Sequence, residues 1–170
     1  MPPDELSGPD LPGVVADADA AELQHVVIGG FSVIFHGYVR ATKDSDLLIP
    51  DGAGADVALL RFLGRIDARR LDDDRPIGDD EAVNRDHLRV GSRHGIIDLL
   101  RGGAPPLDFE TVSSRAETID WEGQTIRFAA LTSLVGFKRL AGRPQDRLDL
   151  IELEALHGEL PSEPIPGLDG

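Results

Sequence analysis

Two aspartates separated by a single residue, Asp44 and Asp46, stand at the start of the apolar segment DSDLLI (residues 44–49). Side chains alternate between the two faces of a β-strand, so on a strand both carboxylates would point one way and Ser45 the other. Two carboxylates brought to ~4 Å repel each other by about 4 kcal/mol at an effective dielectric constant near 20. A cation between them would offset that repulsion. The spacing therefore predicts a cation site, unless the segment is an edge strand whose acids face water.

A third aspartate, Asp98, lies inside a second apolar segment, IIDLL (residues 96–100), where Ile97 and Leu99 would face the core. If this segment is a strand beside the first one, three carboxylates meet on one face of the sheet. Such an all-oxygen site suits Mg²⁺ or Mn²⁺, and two such ions about 3.5–4 Å apart can hold the attacking and leaving oxygens of a phosphoryl transfer. The alternative is that a buried arginine such as Arg40 neutralises Asp98.

The pair Gly29-Gly30 ends the short apolar run HVVI (residues 25–28), and Phe31 and Ile34 follow at helical spacing. This order predicts a strand, a tight turn and a helix. The backbone N–H groups of such a turn can approach a phosphate closely. No G-K-[ST] follows, so the turn is not a Walker A loop. It fits the phosphates of a nucleoside triphosphate held next to the carboxylates.

Hydrophobic periodicity and turn residues predict the other elements. These are a strand over 43–50, a helix over 54–66, two strands within 87–102, a hairpin over 118–129 and two helices from 131 and 144 onward. Gly142 is the expected C-cap between the last two helices, and Pro144 lies in the first turn of the second. The order predicts an α/β (α+β) domain: a β-sheet flanked by helices, with a C-terminal helical pair.

At 170 residues the chain has the length of one domain. Residues 1–18 are predicted to be a disordered acidic, proline-rich arm, residues 19–157 a single domain, and residues 158–170 a disordered tail. No apolar run approaches the ~20 residues that a membrane span needs, and the N-terminus lacks the pattern of a signal peptide. A cytoplasmic protein without a membrane partner is therefore expected.

The chain is strongly acidic, with 31 acidic and 17 basic residues and a formal net charge of -14. This charge disfavours non-specific binding to nucleic acid or to anionic membranes. A small anionic substrate would need metal ions or a few well-placed cations. The absence of cysteine excludes zinc–thiolate sites and thiol nucleophiles.

The stretch VVIGGFSVIFHGYVRATKDSDLLI resembles the nucleotide-binding core of the DNA polymerase β-like nucleotidyltransferase superfamily. It is most similar to the small bacterial branch that includes toxin–antitoxin-associated and abortive-infection-type proteins. The shared features are a Gly-Gly or Gly-Ser turn, an H-G at the helix end, an R-x-T-x-D approach and a D-x-D strand. They are matched here by Gly29, Gly30, His36, Gly37, Arg40, Thr42, Asp44 and Asp46. Asp98 matches the third acid by position, and GFKRLAGRPQDRLDLIELE is similar to the C-terminal helix pair of the family.

The matched pieces cover about residues 25–154, with gaps across 51–87 and 102–130. The resemblance implies a mixed β-sheet of nucleotidyltransferase type and transfer of a nucleoside monophosphate from an NTP, with ATP expected, to a hydroxyl acceptor. Asp44, Asp46 and Asp98 would be the catalytic, metal-binding residues for Mg²⁺ or Mn²⁺. The NTP would contact Gly29, Gly30, Ser32, Arg40, Thr42, Lys138 and Arg143. A small molecule, a tRNA end and a protein hydroxyl all remain open as acceptors.

Two other functions are compatible with these residues. A non-catalytic nucleotide- or protein-binding member, for example one half of a toxin–antitoxin pair, is suggested by Ser45 between the aspartates and by Gly30, where many members have serine. A metal-dependent phosphohydrolase would release nucleoside monophosphate without an acceptor. Lys138 and Arg143 either neutralise triphosphate charge or interact with a helix C-terminus. His36 is predicted to be a C-cap or packing residue.

Overall fold

The strands of this chain form one mixed sheet in the computed structural model, which describes residues 8–170. The strands are β1 Val26–Ile28, β2 Asp44–Leu48, β3 His87–Val90, β4 Ile96–Leu100, β5 Glu117–Trp121 and β6 Gln124–Phe128. The helices are α1 Leu11–Ala20, α2 Gly29–Phe35, α3 Ala53–Arg65, α4 Asp79–Val83, α5 Phe109–Arg115, α6 Leu131–Ala141 and α7 Pro144–His157. The predicted α/β fold class is confirmed.

The sheet has the strand order β3-β4-β2-β1-β6-β5 among the described residues. The predicted hairpins are present as the antiparallel pairs β3–β4 and β5–β6. In the centre, β1 is antiparallel to β2, whereas β2 and β4 are parallel to each other. The segments that carry the D-x-D pair and Asp98 are therefore direct neighbours, as the sequence predicted.

The two faces of the sheet are covered differently. On one face, Leu47 and Ile97 pack in the larger core together with residues of α1 and α3 such as Val14 and Phe62. On the other face, Leu48 packs with residues of α5 in a smaller cluster. Because side chains alternate along a strand, the second face also carries the aspartates of β2 and β4. They precede Leu48 and Leu100 on these two strands.

The N-terminal helix α1 departs from the predicted disordered arm over residues 1–18. Asp10 caps the helix by accepting a hydrogen bond from the Gly13 amide at 3.1 Å. The apolar side of α1 is completely buried in the larger core and consists of Leu11, Val14, Val15 and Ala18. Residues 11–18 are thus part of the folded domain, whereas residues 1–7 of the predicted arm lie outside the described residues.

One buried carboxylate, Asp17, fastens α1 to the turn between β3 and β4. Its Oδ2 lies 2.6 Å from Arg93 Nη2 and 2.7 Å from His94 Nε2, and its Oδ1 lies 3.1 Å from Arg65 Nη2. Burial acts to raise the pKa of Asp17, but hydrogen bonds with Arg93 and His94 outweigh it and lower the pKa. The ionised form is therefore favoured in the folded protein.

The C-terminal segment also departs from the predicted disordered tail over residues 158–170. Ile165 is buried beside Gly136 of α6. Arg139 pairs with Asp169 at 2.7 Å, and Arg115 pairs with Glu163. These contacts hold the segment against α5 and α6 without a regular helix or strand.

The helical pair predicted after residue 131 is present as α6 and α7. Gly142 ends α6 in the left-handed conformation with φ 60°, as the C-cap prediction required. Leu134 of α6 and Leu153 of α7 pack together with Val33 of α2. The pair therefore rests on the helix that follows the Gly29-Gly30 turn.

Aromatic contacts fix α2 on the sheet. Phe35 stacks on Phe128 of β6 with a centroid separation of 4.5 Å. One turn earlier, the ring of Phe31 lies 6.2 Å from Trp121 at the tip of the β5–β6 hairpin.

Among residues 8–170, no helix has both the length and the apolar character needed to cross a membrane.

Candidate active site

Strands β2 and β4 bring the three predicted aspartates together. Asp46 and Asp98 lie directly opposite each other in the parallel pairing, and Asp44 lies two residues before Asp46 on the same face. One carboxylate oxygen from each of the three lies within 4.8 Å of the others. Asp98 is buried, while Asp44 and Asp46 are partly exposed. The carboxylates therefore form one compact cluster, open to solvent on the β2 side.

Strand β3 adds two basic side chains that the sequence reasoning missed. Arg89 is paired with Asp98 in the sheet register, and its Nη1 lies 2.6 Å from Asp98 Oδ2 and 2.7 Å from Asp44 Oδ2. His87 Nε2 lies 2.7 Å from Asp98 Oδ1. The sequence signal for these two residues was the alternation of polar and apolar residues in HLRV (residues 87–90), in which Leu88 and Val90 are buried. This alternation places His87 and Arg89 on the same face of the sheet as Asp98.

The Gly29-Gly30 turn lies against the carboxylate cluster. Gly29 has φ +67°, and a Cβ atom at this position would overlap with the carboxylate of Asp46. A Cβ on Gly30 would lie 2.5 Å from Thr42 Oγ1 and 3.4 Å from Arg40 Nη1. Both glycines are therefore required by close approach, the first toward the acids and the second toward the segment that leads into β2.

The segment before β2 is held by the C-terminal helix. The guanidinium of Arg40 donates two hydrogen bonds of 2.8 Å to the carboxylate of Asp149. Thr42 donates to the backbone carbonyl of Asp44 at 3.2 Å. These contacts support the segment behind the turn, and the predicted contact of Arg40 and Thr42 with the nucleotide stays a prediction. The pairing with Asp149 also excludes Arg40 as the partner of Asp98.

Lys138 is buried in the same ion network. Its Nζ lies 2.9 Å from Asp146 Oδ1 and 2.9 Å from Asp149 Oδ2, and both carboxylates are buried. Burial acts to raise the pKa of Asp149, but hydrogen bonds with Arg40, Lys138 and Gln145 lower it. The ammonium group predicted to face triphosphate is therefore engaged by two acids of α7.

Arg143 keeps an exposed guanidinium near the cluster. Its Nε donates to Asp146 Oδ2 at 2.7 Å in the capping box of α7, yet the side chain is 73% exposed. The pKa of Arg143 is raised, chiefly by the hydrogen bond with Asp146 and further by the negative charges of Asp46 and Asp44. Of the two predicted cations, Arg143 is the one that combines solvent access with proximity to the acids.

Two serines and one histidine near the site face elsewhere. Ser32, predicted to contact phosphate, is completely buried and its hydroxyl lies 3.4 Å from the carbonyl of Ala129, to which it donates. Ser45 is buried on the opposite face of the sheet, and its hydroxyl finds no hydrogen-bond partner within residues 8–170. His36 is the C-cap of α2, as predicted, and its Nε2 lies 2.8 Å from the Ala129 carbonyl oxygen.

The three site carboxyls differ in acidity. Burial, and then the charges of Asp98 and Asp44, raise the pKa of Asp46 to about 7. Burial and a hydrogen bond with Asp44 raise the pKa of Asp98 as well, against the effect of His87. For Asp44, burial is outweighed by hydrogen bonds with Asp98 and Arg89, so its pKa is lowered. The metal-free cluster thus holds less than three full negative charges at neutral pH.

These residues fit a hard divalent cation. Three carboxylates supply oxygen ligands from two adjacent strands, and Gly29 leaves open the space that a side chain would take beside Asp46. Carboxylate oxygens are the protein ligands that Mg²⁺ and Mn²⁺ prefer. A cation would also offset the repulsion among the carboxylates, which adds to the effect of burial in raising the pKa of Asp46.

Comparison with solved structures supports the fold. No family model matches the sequence, and no curated protein matches it. The structure is similar to that of an antigenic nucleotidyltransferase-like protein from Paracoccidioides brasiliensis, with a TM-score of 0.54 and 15% identity over 86% of this chain and 74% of that chain. It is also similar to the antibiotic-resistance factor ANT(2'')-Ia, with a TM-score of 0.57 and 14% identity over 84% of this chain and 79% of that chain.

Proposed function

We propose that this chain, which has the nucleotidyltransferase fold, is a metal-dependent enzyme that transfers a nucleoside monophosphate from an NTP to a hydroxyl acceptor. One observation carries the proposal: Asp44, Asp46 and Asp98 converge beside the Gly29-Gly30 turn. The fold resemblance alone would fit many activities. The cluster supports a specific chemistry, because it joins an all-oxygen cation site to a turn without side chains.

Asp44, Asp46 and Asp98 would hold Mg²⁺ or Mn²⁺. When bound there, such ions offset the negative charge of the phosphates and of the departing pyrophosphate. The chain itself prepares the site, because the β2–β4 pairing fixes the carboxylates before any ligand arrives. Fixed charges of this kind need little reorganisation during the reaction.

Asp98 is the proposed base of the reaction. It is buried, its pKa is raised, and it contacts His87 through one oxygen and Arg89 through the other. A carboxylate with a raised pKa is a better proton acceptor than an ordinary aspartate. The acceptor hydroxyl gives its proton to Asp98, its oxygen bonds to the α-phosphorus, and the bond from that phosphorus to the pyrophosphate oxygen breaks.

The phosphates are proposed to lie over the Gly29-Gly30 turn. The missing side chains leave room there, next to Asp46. Arg143 supplies the nearby exposed cation that would meet the charge of the leaving pyrophosphate. Arg40 and Lys138 act indirectly, by holding the segment before β2 against α7 through Asp149, and Thr42 bonds the Asp44 carbonyl within that segment.

The test is label transfer from α-labelled NTPs in the presence of Mg²⁺ or Mn²⁺ and a cell lysate. We expect Asp46→Asn to lower the rate by at least about 100-fold, because it removes one charge from the centre of the cluster. Asp80→Asn, which removes an exposed charge from α4, is the matched control and should retain the rate of the wild type. Equal label transfer by the wild type and Asp46→Asn would refute the assignment.

A non-catalytic nucleotide-binding role is the second candidate. The burial of Ser32 and the engagement of Lys138 by two acids favour it, since they remove two of the phosphate contacts that the sequence predicted. Mg²⁺-dependent ATP binding in calorimetry, with no release of pyrophosphate in the lysate assay, would identify this role. Free nucleoside monophosphate formed without an acceptor would instead identify a phosphohydrolase. The toxin–antitoxin role remains a prediction from sequence.

A further inference from the structure

Arg89 lies inside the carboxylate cluster rather than beside it. Its Nη1 contacts two of the three carboxylates at once, at 2.7 Å from Asp44 Oδ2 and 2.6 Å from Asp98 Oδ2. These are the distances of strong, charge-assisted hydrogen bonds. A guanidinium nitrogen therefore lies between Asp44 and Asp98, where an ion bridging the two would draw on the same oxygens.

We infer that Arg89 is an internal cation that holds Asp44 and Asp98 together in the metal-free protein and competes with a divalent ion for their oxygens. On this inference, metal binding requires the guanidinium to leave at least one of the two carboxylates. The inference rests on the proposed metal site, and it adds a positioning residue that regulates how readily that site fills.

Three features of the structure support the competition. Asp98 has both oxygens engaged, Oδ1 by His87 and Oδ2 by Arg89, so a new ligand must displace or share an existing contact. A divalent ion at ~2.1 Å from an oxygen would lie close to the positive guanidinium, and like charges at such distances repel strongly. The side chain of Arg89 is 44% exposed, so it can move out into solvent without disturbing the core.

The pairing of Arg89 with two carboxylates also explains how the three aspartates stay close together in the metal-free protein. Asp44 and Asp98 repel each other, and the guanidinium of Arg89 on the neighbouring strand β3 offsets part of that repulsion. Among the described side chains, no basic group is paired with Asp46 in this way. The guanidinium therefore stabilises one pair of the three carboxylates, and an ion that uses all three must compete with it for that pair.

The experiment is calorimetric titration of metal-free protein with Mn²⁺ at pH 8. Arg89→Gln should bind Mn²⁺ more tightly than the wild type, on the order of tenfold, because the competing cation is gone. Arg85→Gln is the matched control: it removes one arginine two residues before β3, at a side chain that is 57% exposed and pairs with Glu81. Its affinity should stay within about twofold of the wild type.

A second measurement concerns the metal-free state. Arg89→Gln should unfold at a lower temperature than the wild type in EDTA and should recover more of its stability when Mn²⁺ is added. If Arg89→Gln does not fold, Arg89→Met takes its place, since it keeps an aliphatic stem on β3 but removes the charge that meets both acids. This variant is also expected to bind Mn²⁺ more tightly than the wild type.

The outcomes separate this inference from the proposed function. Tighter Mn²⁺ binding by Arg89→Gln but not by Arg85→Gln supports the competition. Equal or weaker binding by Arg89→Gln, with binding by the wild type lost in Asp46→Asn, overturns the role of Arg89 and leaves the metal site standing. No Mn²⁺ binding by the wild type or by Arg89→Gln overturns both.

Discussion

Asp46 is the site carboxyl that changes its charge near neutral pH in the metal-free protein. Burial and the neighbouring acids raise its pKa from the ordinary value of 3.8 to about 7. Between these two values the folded state binds a proton that the unfolded chain does not. The contribution of Asp46 to folding is therefore present at low pH and is lost as the pH rises through about 7.

This titration predicts a pH-dependent effect of Asp46→Asn on stability. In EDTA at pH 8 the variant should be more stable than the wild type by about 2 kcal/mol, because the neutral amide avoids burying a repelled charge. At pH 5 the difference should be smaller, since folded Asp46 is then mostly protonated, and it should vanish only near pH 3.8, where the unfolded chain binds the proton as well. Urea unfolding at both pH values measures the difference.

The control for this prediction is Asp80→Asn, whose exposed side chain lies on α4, outside the site. It should match the wild type at both pH values. A variant Asp46→Asn that is less stable than the wild type at pH 8 would contradict the raised pKa. Comparing variants at one pH cancels the titration of the remaining groups.

At the scale of residues, alternation along strands predicted the acids but not what surrounds them. Asp44, Asp46 and Asp98 were found because a charged residue in an apolar run stands out. His87 and Arg89 obey the same alternation but lie in a segment that contains no such contrast. Lys138 was assigned to phosphate because a sequence does not show which acid of a later helix a cation will meet.

At the scale of elements, the turn between β1 and α2 is the part of the fold that tolerates least change. Gly29→Ala would place a methyl group on the carboxylate of Asp46 in addition to straining a backbone at φ +67°. We expect a loss of about 3 kcal/mol in stability and a clear loss of Mn²⁺ affinity. Urea unfolding and calorimetric titration measure the two effects.

Gly123→Ala separates the two causes. Gly123 has φ +79° in the β5–β6 hairpin, and a Cβ there would meet no atom within 4 Å. This variant should lose only about 1 kcal/mol, the usual cost of a left-handed conformation for a residue with a side chain, and should bind Mn²⁺ like the wild type. Equal losses of stability and of Mn²⁺ affinity in the two variants would show that a side chain at position 29 does not clash with Asp46.

Elements with strong local signals were predicted, and those that depend on distant contacts were not. The two hairpins have alternating apolar residues around glycine-containing turns, and the C-terminal helices have a glycine C-cap and a proline start. Helix α1 has a start signal in Asp10 and Pro12, but Gly13 and the acidic residues that follow are typical of a loop. Ile165 is buried without any regular element, which no periodicity reveals.

At the scale of the whole molecule, the attachment of α1 is a testable departure from the sequence prediction. Asp17→Asn should destabilise the protein by about 2 kcal/mol, because Arg93, His94 and Arg65 would lose the charge that they share. Asp19→Asn, an exposed position on the same helix, is the matched control and should have little effect. Urea unfolding at neutral pH distinguishes them.

If residues 11–18 were only loosely attached, the two variants would unfold at the same urea concentration. The structure predicts otherwise because α1 buries its apolar side in the larger core, on the face of the sheet opposite the carboxylates. Deleting α1 would therefore expose the larger core beside β6 and α3 rather than the site itself.

The overall charge of -14 also bears on the acceptor. An acidic molecule repels a compact, metal-bound nucleotide less than a long polyanion, because the metal ion partly offsets the charge of the nucleotide. The same charge disfavours an extended RNA as the acceptor, and the identity of the acceptor stays a prediction.

The contact between Phe31 and Trp121 gives the protein an optical reporter of its own. Trp121 is the only tryptophan in the chain, and Phe31 directly follows Gly30. Indole emission depends on the polarity and mobility of the groups around the ring, so a shift of the turn would alter the intrinsic fluorescence. Binding at the turn can thus be followed in real time on the unlabelled protein, before any acceptor has been identified.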